Sequence, residues 1–467
     1  MPFINLREID LNYKINQGMI NYHYISALII VFICSMLTAC QTKQIGISKP
    51  NVILIMADDI GFECLSINGS TSYKTPVLDS LALNGVNFTK AISQPLCTPS
   101  RVKIMTGKYN FRNYDYFTYL NPKEKTFGNL FKENGYKTAV VGKWQLNGIK
   151  HQLEGHDDNT RPYHFGFDEY SLWQLTKVKE FGERFANPLI EQNGRILPRD
   201  ENAYGPDIVS DYAVDFIKRN KAHPFFIYYP MLLVHSPFVP TPDSPEWQSL
   251  DTRSKQDNRF FIDMVSYMDK IVGKIVNTLK EEGIANNTLI IFVGDNGTKN
   301  TLVSQTKKGP VRGAKGNTIT HGNHVPMLAY WPDQIKTSKS HSGLINFSDF
   351  YATFCEILGV NHQTDGASMM GILSGKKTLN RETITTYYDP MWSPNVTRFR
   401  NVFSQSTRYK LYKDGKFFDM ENDILETRPI EDKDLNEDQK IIKAKLASEL
   451  ANFPSLPESS FVRGKNN

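Results

Sequence analysis

Short runs of consecutive apolar residues recur along the chain. The longest lie within 50–60 and 288–296, and further runs lie at 139–142 and 225–229. A run without polar alternation is typical of a strand buried on both faces of a sheet. These four segments are therefore predicted to be buried strands.

Between these runs the apolar residues recur at helical spacing. Thr75 followed by Pro76 is a start signal for a helix over 75–82. Segment 263–282 has its apolar residues on one helical face: Met264, Tyr267, Met268, Ile271, Ile275 and Leu279. Because strands alternate with helices, we predict the α/β class, with a large, mostly parallel sheet flanked by helices.

The last ninety or so residues have a different pattern. Segment 409–418 predicts a hairpin around Asp414-Gly415, and Ile442, Leu446 and Leu450 predict an amphipathic helix. We therefore predict a main domain over 50–375 and a smaller C-terminal α+β subdomain over 376–467.

The N-terminal region has the pattern of an export signal. The apolar run 25–37 is short for a membrane span, and it leads into a Leu-Thr-Ala-Cys sequence that ends at Cys40 and resembles a bacterial lipobox. We predict a lipoprotein signal peptide over 1–40, lipidation of Cys40 and a tether over 41–49. Translation from Met19 and an uncleaved membrane anchor are the alternatives. Each places the protein in a bacterial cell envelope, periplasmic or at the outer membrane.

Composition excludes several classes of protein. The 467 residues are 40% hydrophobic and 22% charged, which is an ordinary globular balance, and the net charge is +5. No run of Lys and Arg suggests nucleic-acid binding. Five cysteines are too few for a disulfide framework. A mildly basic surface suits a polyanionic substrate, although chance variation would give the same balance.

Acidic residues follow the two longest apolar runs. Asp58 and Asp59 follow the first run, and Asp295 and Asn296 follow the second. In an open parallel sheet, ligands bind beyond the carboxyl ends of the strands. Converging carboxylate and amide oxygens suit Ca²⁺, or less well Mg²⁺, and are poor ligands for zinc or copper. Each pair taken alone could instead be a solvated loop or a helix cap.

Basic residues follow the other predicted strands. Lys143 and His235 each lie just past a strand, and Lys315 lies in a glycine-rich loop. The charges of three aspartates and a divalent cation sum to about −1. Adding the charges of Arg101, Lys143 and Lys315 brings the sum to about +2. Such a site suits a monoanionic ester.

The pentapeptide Cys97-Thr98-Pro99-Ser100-Arg101 combines a thiol with an arginine one helical turn later. Thr98 as N-cap and Pro99 as first helical residue would start a helix there, with Cys97 and Arg101 on one face. A helix N-terminus and an arginine both favour a bound anion. The C-x-P-x-R pattern resembles the signature of the formylglycine-dependent (type I) sulfatases, in the alkaline-phosphatase-like superfamily.

The resemblance extends over about residues 50 to 360. It rests on Val52 to Gly61, the pentapeptide, Gly142-Lys143-Trp144, His235 with Pro237, Asp295-Asn296-Gly297 and Lys315, which occur in the order of that family. It implies an alkaline-phosphatase-like fold and hydrolysis of sulfate esters.

The resemblance also implies roles for individual residues. Asp58, Asp59, Asp295 and Asn296 would bind calcium. Cys97, oxidised to formylglycine by a maturation enzyme, would supply a hydrate that is both nucleophile and metal ligand. Arg101 would hold that side chain. Lys143, His235 and Lys315 would bind the sulfate oxygens, with His235 or Lys315 protonating the leaving oxygen.

The chain departs from the family pattern at two places. Gln145 stands where the family usually has a histidine, and glutamine cannot titrate. His321 and His324 lie in segment 320–326, which stands where the family commonly has Glu-Gly-Gly-x-Arg-Val-Pro. Either could supply the missing base or contact substrate, along with Gln145, and purely local hydrogen bonding is the alternative.

The expected function is sulfate-ester hydrolysis on a sulfated carbohydrate. Trp392 could stack on a sugar ring and Arg398 could bind a further anionic group, although packing of Trp392 at a domain boundary is the alternative. Two other functions stay open. One is a phosphonate or phosphate diester hydrolase with the same aldehyde and metal, and the other is a catalytically impaired sulfate-binding protein.

Overall fold

The computed structural model describes residues 49–177, 184–376 and 379–458. From Pro50 onward the chain forms one compact unit. The signal peptide over 1–40 and the lipidation of Cys40 lie outside the described residues, as does all of the tether except Lys49. In the part of the chain that is described, no helix is both long enough and apolar enough to cross a bilayer.

An eleven-stranded sheet is the largest element of the fold. Its strands are β1 (Asn51–Ala57), β2 (Val86–Ile92), β3 (Lys137–Lys143), β4 (Glu169–Trp173), β5 (Ile190–Gln192), β6 (Arg195–Ile196), β7 (Phe225–Pro230), β8 (Thr288–Gly294), β11 (His324–Tyr330), β12 (Lys339–His341) and β13 (Ile345–Asn346). The intervening β9 (Val303–Thr306) and β10 (Gly309–Arg312) form a separate hairpin.

The spatial order in the large sheet is β12-β2-β11-β8-β1-β7-β3-β4-β5-β6, and β13 also pairs with β2. The central strands β8, β1, β7, β3 and β4 run parallel. Strand β11 is antiparallel to both of its neighbours, and β5 is antiparallel to β4. The predicted α/β class is confirmed, with a parallel centre inside a mixed sheet.

Helices cover both faces of the sheet. Alternate residues of β1 belong to two separate cores, Ile53 and Ile55 to one and Leu54 and Met56 to the other, which is why this strand is apolar throughout. Helices Pro76–Leu83, Gly205–Asn220 and Phe260–Glu281 contribute to the first core, and Cys97–Thr106, Phe127–Glu133 and Asp349–Leu358 contribute to the second. Shorter helices span Asn110–Asn113, Arg161–His164, Thr320–Asn323, Met370–Leu373 and Pro394–Thr397.

The C-terminal region forms its own sheet. Strands β14 (Ile384–Tyr388), β15 (Asn401–Gln405), β16 (Tyr409–Tyr412) and β17 (Phe417–Asp419) make an antiparallel meander. Helix Glu437–Ala451 packs on it through Leu446 and Leu450. The hairpin and the helix expected from the sequence are both present. The division at residue 376 stays a prediction.

We expect Leu446→Ala to lower the free energy of unfolding by about 2–5 kcal/mol, because it leaves a cavity in this small core. Leu446 is 0% exposed. Ile441 lies on the same helix but is 68% exposed, so Ile441→Ala should change stability by less than about 0.5 kcal/mol. Urea unfolding of both variants measures the difference, and equal losses would contradict this packing.

Candidate active site

Four side chains meet where β1 and β8 end. Ala57 pairs with Gly294 in the parallel register, so Asp58 and Asp295 leave the sheet side by side. The Asp295 backbone N–H donates to the Ala57 carbonyl at 2.9 Å, and the Asp59 N–H donates to Asp295 Oδ1 at 2.9 Å. All three aspartates are at most 1% exposed.

Asn296 completes this group and has an unused acceptor. Its side-chain N–H donates to Asp59 Oδ1 at 2.9 Å, while its own Oδ1 is buried and has no partner. Oxygens of Asp58 and Asp59 and a ring nitrogen of His235 lie within 4.8 Å of one another. A buried, oxygen-rich donor set with an unpaired amide oxygen fits a divalent cation of the calcium or magnesium type.

Buried cations surround the carboxylates. Lys143 Nζ donates to both oxygens of Asp58, at 3.0 and 2.8 Å. Arg101 donates from Nη2 to Asp295 Oδ2 at 3.3 Å and from Nη1 to the Lys143 carbonyl at 3.1 Å. Lys315 Nζ lies 2.6 Å from Asp59 Oδ2. The predicted clamp residues are therefore packed directly against the predicted metal ligands.

The two neighbouring aspartates titrate in opposite directions. Burial alone would raise the pKa of Asp58, but the charge of Lys143, then those of His235 and Arg101, hold this pKa well below its usual range. Burial and the adjacent Asp58 raise the pKa of Asp295 to about 7. Additional positive charge at this point would favour the ionised form of all three carboxylates.

Helix Cys97–Thr106 carries the candidate nucleophile. It begins at Cys97 with Leu96 as its N-cap, so the expectation that Thr98 caps it and Pro99 is its first residue is wrong. Thr98 Oγ1 instead accepts from the Thr118 N–H at 3.2 Å.

The same helix is fastened to the metal-ligand loop. Ser100 Oγ donates to the Asp295 carbonyl at 2.6 Å. Cys97 is 2% exposed, and its thiol donates to Gln145 Oε1 at 3.3 Å. Arg101 lies one turn further along, so both residues face the carboxylates.

His235 lies where the loop after β7 reaches the site. Its Nε2 is 3.5 Å from Asp59 Oδ2, and its side chain is 21% exposed. Burial, then the charge of Lys315, holds the pKa of His235 well below its usual value. For Lys315, burial would lower the pKa, but the nearby charges of Asp59, then Cys97 and Asp58, together outweigh burial and the pKa is raised.

A cavity of about 700 Å³ opens above these groups. Cys97, Gln145, His235 and Lys315 line it, while Asp58 and the other carboxylates lie beneath. The structure thus brings the predicted nucleophile and two of the three predicted sulfate ligands to one open surface. Lys143, the third, is 0% exposed and reaches the site from below.

Arg184 is part of this site and was missed by sequence reasoning. Its Nη1 lies 3.5 Å from Asp58 Oδ2, and its guanidinium carbon lies 4.1 Å from the centre of the Trp173 ring. The side chain is only 8% exposed, and none of the described residues is a partner of Nε. No local pattern marks Arg184, because its position follows from β4 lying beside β3. Gln174, Lys150 and Lys299 also line the cavity and were likewise missed.

His321 and His324 are not among the residues that line this cavity. His324 Nε2 is 2.8 Å from the Thr89 carbonyl, and its ring stacks on Phe62 at 4.2 Å. Burial lowers the pKa of both histidines, that of His324 to about 3. The local hydrogen-bonding alternative is thus the one that the geometry favours for His324, and neither residue is placed to contact substrate here.

Trp392 and Arg398, the two candidate substrate-binding residues of segment 389–400, line different cavities. Trp392 lines the cavity, with its ring stacked on Phe117 at 4.3 Å and 11°. Arg398 instead lines a second cavity of about 200 Å³, together with Lys416 and Glu426. Binding of a further anionic group by Arg398 stays a prediction, and Arg398 lies just after helix Pro394–Thr397 at a different cavity from Trp392.

Comparison with known proteins identifies the family. The Sulfatase family model matches residues 50–360, and the model for the C-terminal region of N-sulphoglucosamine sulphohydrolase matches 318–454. The chain belongs to the sulfatase family.

The individual relatives are distant in sequence, but their alignments extend over most of this chain. The chain is 30% identical over 353 residues to human N-acetylgalactosamine-6-sulfatase. This alignment covers 68% of this chain and 64% of the human protein. It is 28% identical over 434 residues to an N-acetylgalactosamine-6-O-sulfatase of Bacteroides thetaiotaomicron, covering 75% and 82%. The crystal structure of Ps i-CgsB with k-i-k-neocarrahexaose superposes with a TM-score of 0.68 at 26% identity, covering 86% and 92%.

Proposed function

We propose that this protein is a sulfuric ester hydrolase that releases sulfate from a sulfated saccharide. One observation carries the proposal: Cys97, His235 and Lys315 line a single cavity directly above the buried carboxylates. The names of the relatives agree with this reaction. The sulfatases from human and from B. thetaiotaomicron are both named for a sulfated sugar.

We propose formylglycine, made from Cys97, as the nucleophile. As its hydrate, this residue would supply one hydroxyl that attacks sulfur and displaces the alcohol. The second hydroxyl would then lose its proton as the carbon–oxygen double bond re-forms and sulfate leaves. The chain's own residues position it. Arg101 lies one turn along the same helix, and Gln145 Oε1 accepts the hydrogen bond from the side chain at position 97.

We propose Ca²⁺ as the cofactor, held by Asp58, Asp59, Asp295, Asn296 and the side chain at position 97. When bound, it supplies positive charge that lowers the pKa of a neighbouring hydroxyl. Support comes from the unpaired Oδ1 of Asn296 and from the three buried carboxylates. An all-oxygen donor set of this kind suits calcium better than zinc.

The sulfate group would be bound by Lys143, Lys315 and His235. Their donors surround Asp58 and Asp59, so the sulfate oxygens would meet positive charge next to the nucleophile. Among the described lining residues His235 is the only imidazole. That leaves His235 and Lys315 to move the protons of the reaction, since Gln145 cannot titrate.

We propose an aromatic-walled binding site for the sugar. Trp173, Phe117 and Trp392 all line the cavity. Apolar ring faces next to polar donors are the usual surroundings of a bound sugar-sized ligand. Trp392 already stacks on Phe117, and Lys150 Nζ lies 5.2 Å from the centre of its ring, so part of the ring surface is covered before substrate binds.

We expect Cys97→Ala to abolish release of free sulfate from a panel of sulfated saccharides, because alanine cannot become an aldehyde. Cys97 should carry the aldehyde mass in peptide mass spectrometry after expression with a maturation enzyme. Phosphonate and phosphate esters, tested alongside, separate sulfatase from phosphonate hydrolase. Substantial sulfate release by Cys97→Ala, or faster turnover of phosphonates than of every sulfate ester, would refute the proposal.

We expect added calcium to raise the melting temperature of EDTA-treated protein. At a calcium concentration one hundred times Kd, the expected stabilisation of the folded state is about 2.7 kcal/mol. Asp58→Asn should lose most of this increment, because a ligand charge is gone. Asp251 is exposed and lies away from the site, so Asp251→Asn serves as the matched control. Equal calcium increments in the two variants would count against the proposed metal site.

We further propose that the protein is exported and anchored through Cys40, on the sequence pattern alone. Membrane association in a bacterial host should be lost in Cys40→Ala, and processing of the wild type should be blocked by globomycin. A wild-type protein recovered entirely in the soluble fraction would contradict the anchor.

A further inference from the structure

Lys299 lines the cavity but belongs to neither the metal ligands nor the sulfate clamp. Its Nζ lies 5.4 Å from the centre of the Phe238 ring. Its backbone is held in a turn, where its carbonyl accepts from the Leu302 N–H at 3.1 Å. Among the described residues, no hydrogen bond or salt bridge engages Nζ. This ammonium group is therefore supported by an aromatic ring and keeps its donors for a ligand.

The electrostatics around Lys299 favour a bound anion. Burial, then the charge of Lys315, lowers its pKa. Two ammonium groups that line one cavity repel each other, and a negative group between or beside them would relieve this repulsion.

Positive charge extends around the cavity. Lys150 and Arg184 also line it, and each lies over a tryptophan ring, at 5.2 and 4.1 Å. No Asp or Glu is found among the described residues that line it. A single sulfate ester carries one negative charge, which the sulfate-binding residues, Lys315 among them, already balance. Arg184 is paired with Asp58, so Lys299 is the lining cation that is in excess of what one ester needs.

Gln174 independently indicates that a polar ligand fills the cavity. Its side chain lines the cavity and is 8% exposed, and its buried Oε1 has no hydrogen-bond partner in the described part of the chain. An unpaired buried acceptor is unfavourable unless a ligand donates to it. A sugar hydroxyl is the matching donor.

We propose that Lys299 forms a second anion-binding subsite, so that the preferred substrate carries another anionic group besides the sulfate that is cleaved. This group is a sulfate or a carboxylate on the same sugar ring or on the next one. The proposal rests on the proposed sulfatase function and narrows its substrate to polyanionic saccharides. A saccharide with one sulfate leaves the Lys299 ammonium partly desolvated and unpaired, which is the basis for discrimination.

The test measures binding by calorimetry in the Cys97→Ala background, where no turnover occurs. The probes are N-acetylgalactosamine 6-sulfate, its 4,6-disulfate, and a uronic-acid disaccharide that carries the same 6-sulfate. We expect either dianionic probe to bind about tenfold more tightly than the monosulfate, the size of one charge-assisted contact. Lys299→Gln should reduce that ratio to about one.

Lys307→Gln is the matched control. Lys307 is an exposed lysine in the turn between β9 and β10, outside the cavity, and its loss changes the net charge equally. It should keep the tenfold ratio. A preference for only one dianionic probe would identify the second group as sulfate or as carboxylate, and either result supports the subsite.

Other results overturn it. An unchanged ratio in Lys299→Gln, an equal weakening of all probes, or no preference in the parent protein would each exclude a subsite at Lys299. If no probe binds while the matured wild type still hydrolyses aryl sulfates, the subsite is wrong and the sulfatase chemistry stands. If the wild type releases sulfate from no ester, the proposed function fails and the subsite with it.

Discussion

Three carboxylates buried side by side are the constraint on which the rest of this structure depends. Asp58, Asp59 and Asp295 leave the sheet together because β1 and β8 are parallel neighbours in register. Like charges at this spacing are strongly unfavourable unless cations lie against them. Arg101 and Lys143, both fully buried, supply that compensation. Arg101 comes from the helix that begins at Cys97, so the element that balances the charge also delivers the candidate nucleophile.

The cavity above this layer has a different electrostatic character. The charges beneath it are paired with one another, whereas Lys299 on its wall has no anionic partner among the described residues. An aromatic ring lies under each of Lys150, Arg184 and Lys299, and the ring under Lys299 holds this cation without neutralising it, because a ring face offers attraction but no charge. The wall is thus suited to a ligand that is both polar and multiply anionic. Gln145, which replaces a titrating residue of the family, leaves proton transfer to groups that line the same cavity.

Much of the fold and of the reactive centre could be predicted from local patterns. Asp58, Asp295 and His235 each follow a strand, and Lys143 is the last residue of one. These strands are recognisable as apolar runs, and strand ends in a parallel sheet meet at one edge. The start of the helix was predicted two residues too late, because Thr98 is used to hold Thr118 rather than to cap the helix. The antiparallel strands at the two sides of the sheet were not predicted. An antiparallel strand such as β11 has the same local residue pattern as a parallel one.

The sequence by itself determined the identity and order of the candidate reactive groups, because most of them stand next to a strand or helix start with a recognisable pattern. Only the tertiary structure decided which further side chains surround them. Arg184 and Gln174 reach the cavity through the placement of β4 beside β3, and Lys299 through a turn after Asn296. Arg398 is turned away from Trp392 although it lies six residues later in the chain. These positions depend on contacts between segments far apart in sequence, and no local pattern encodes such contacts.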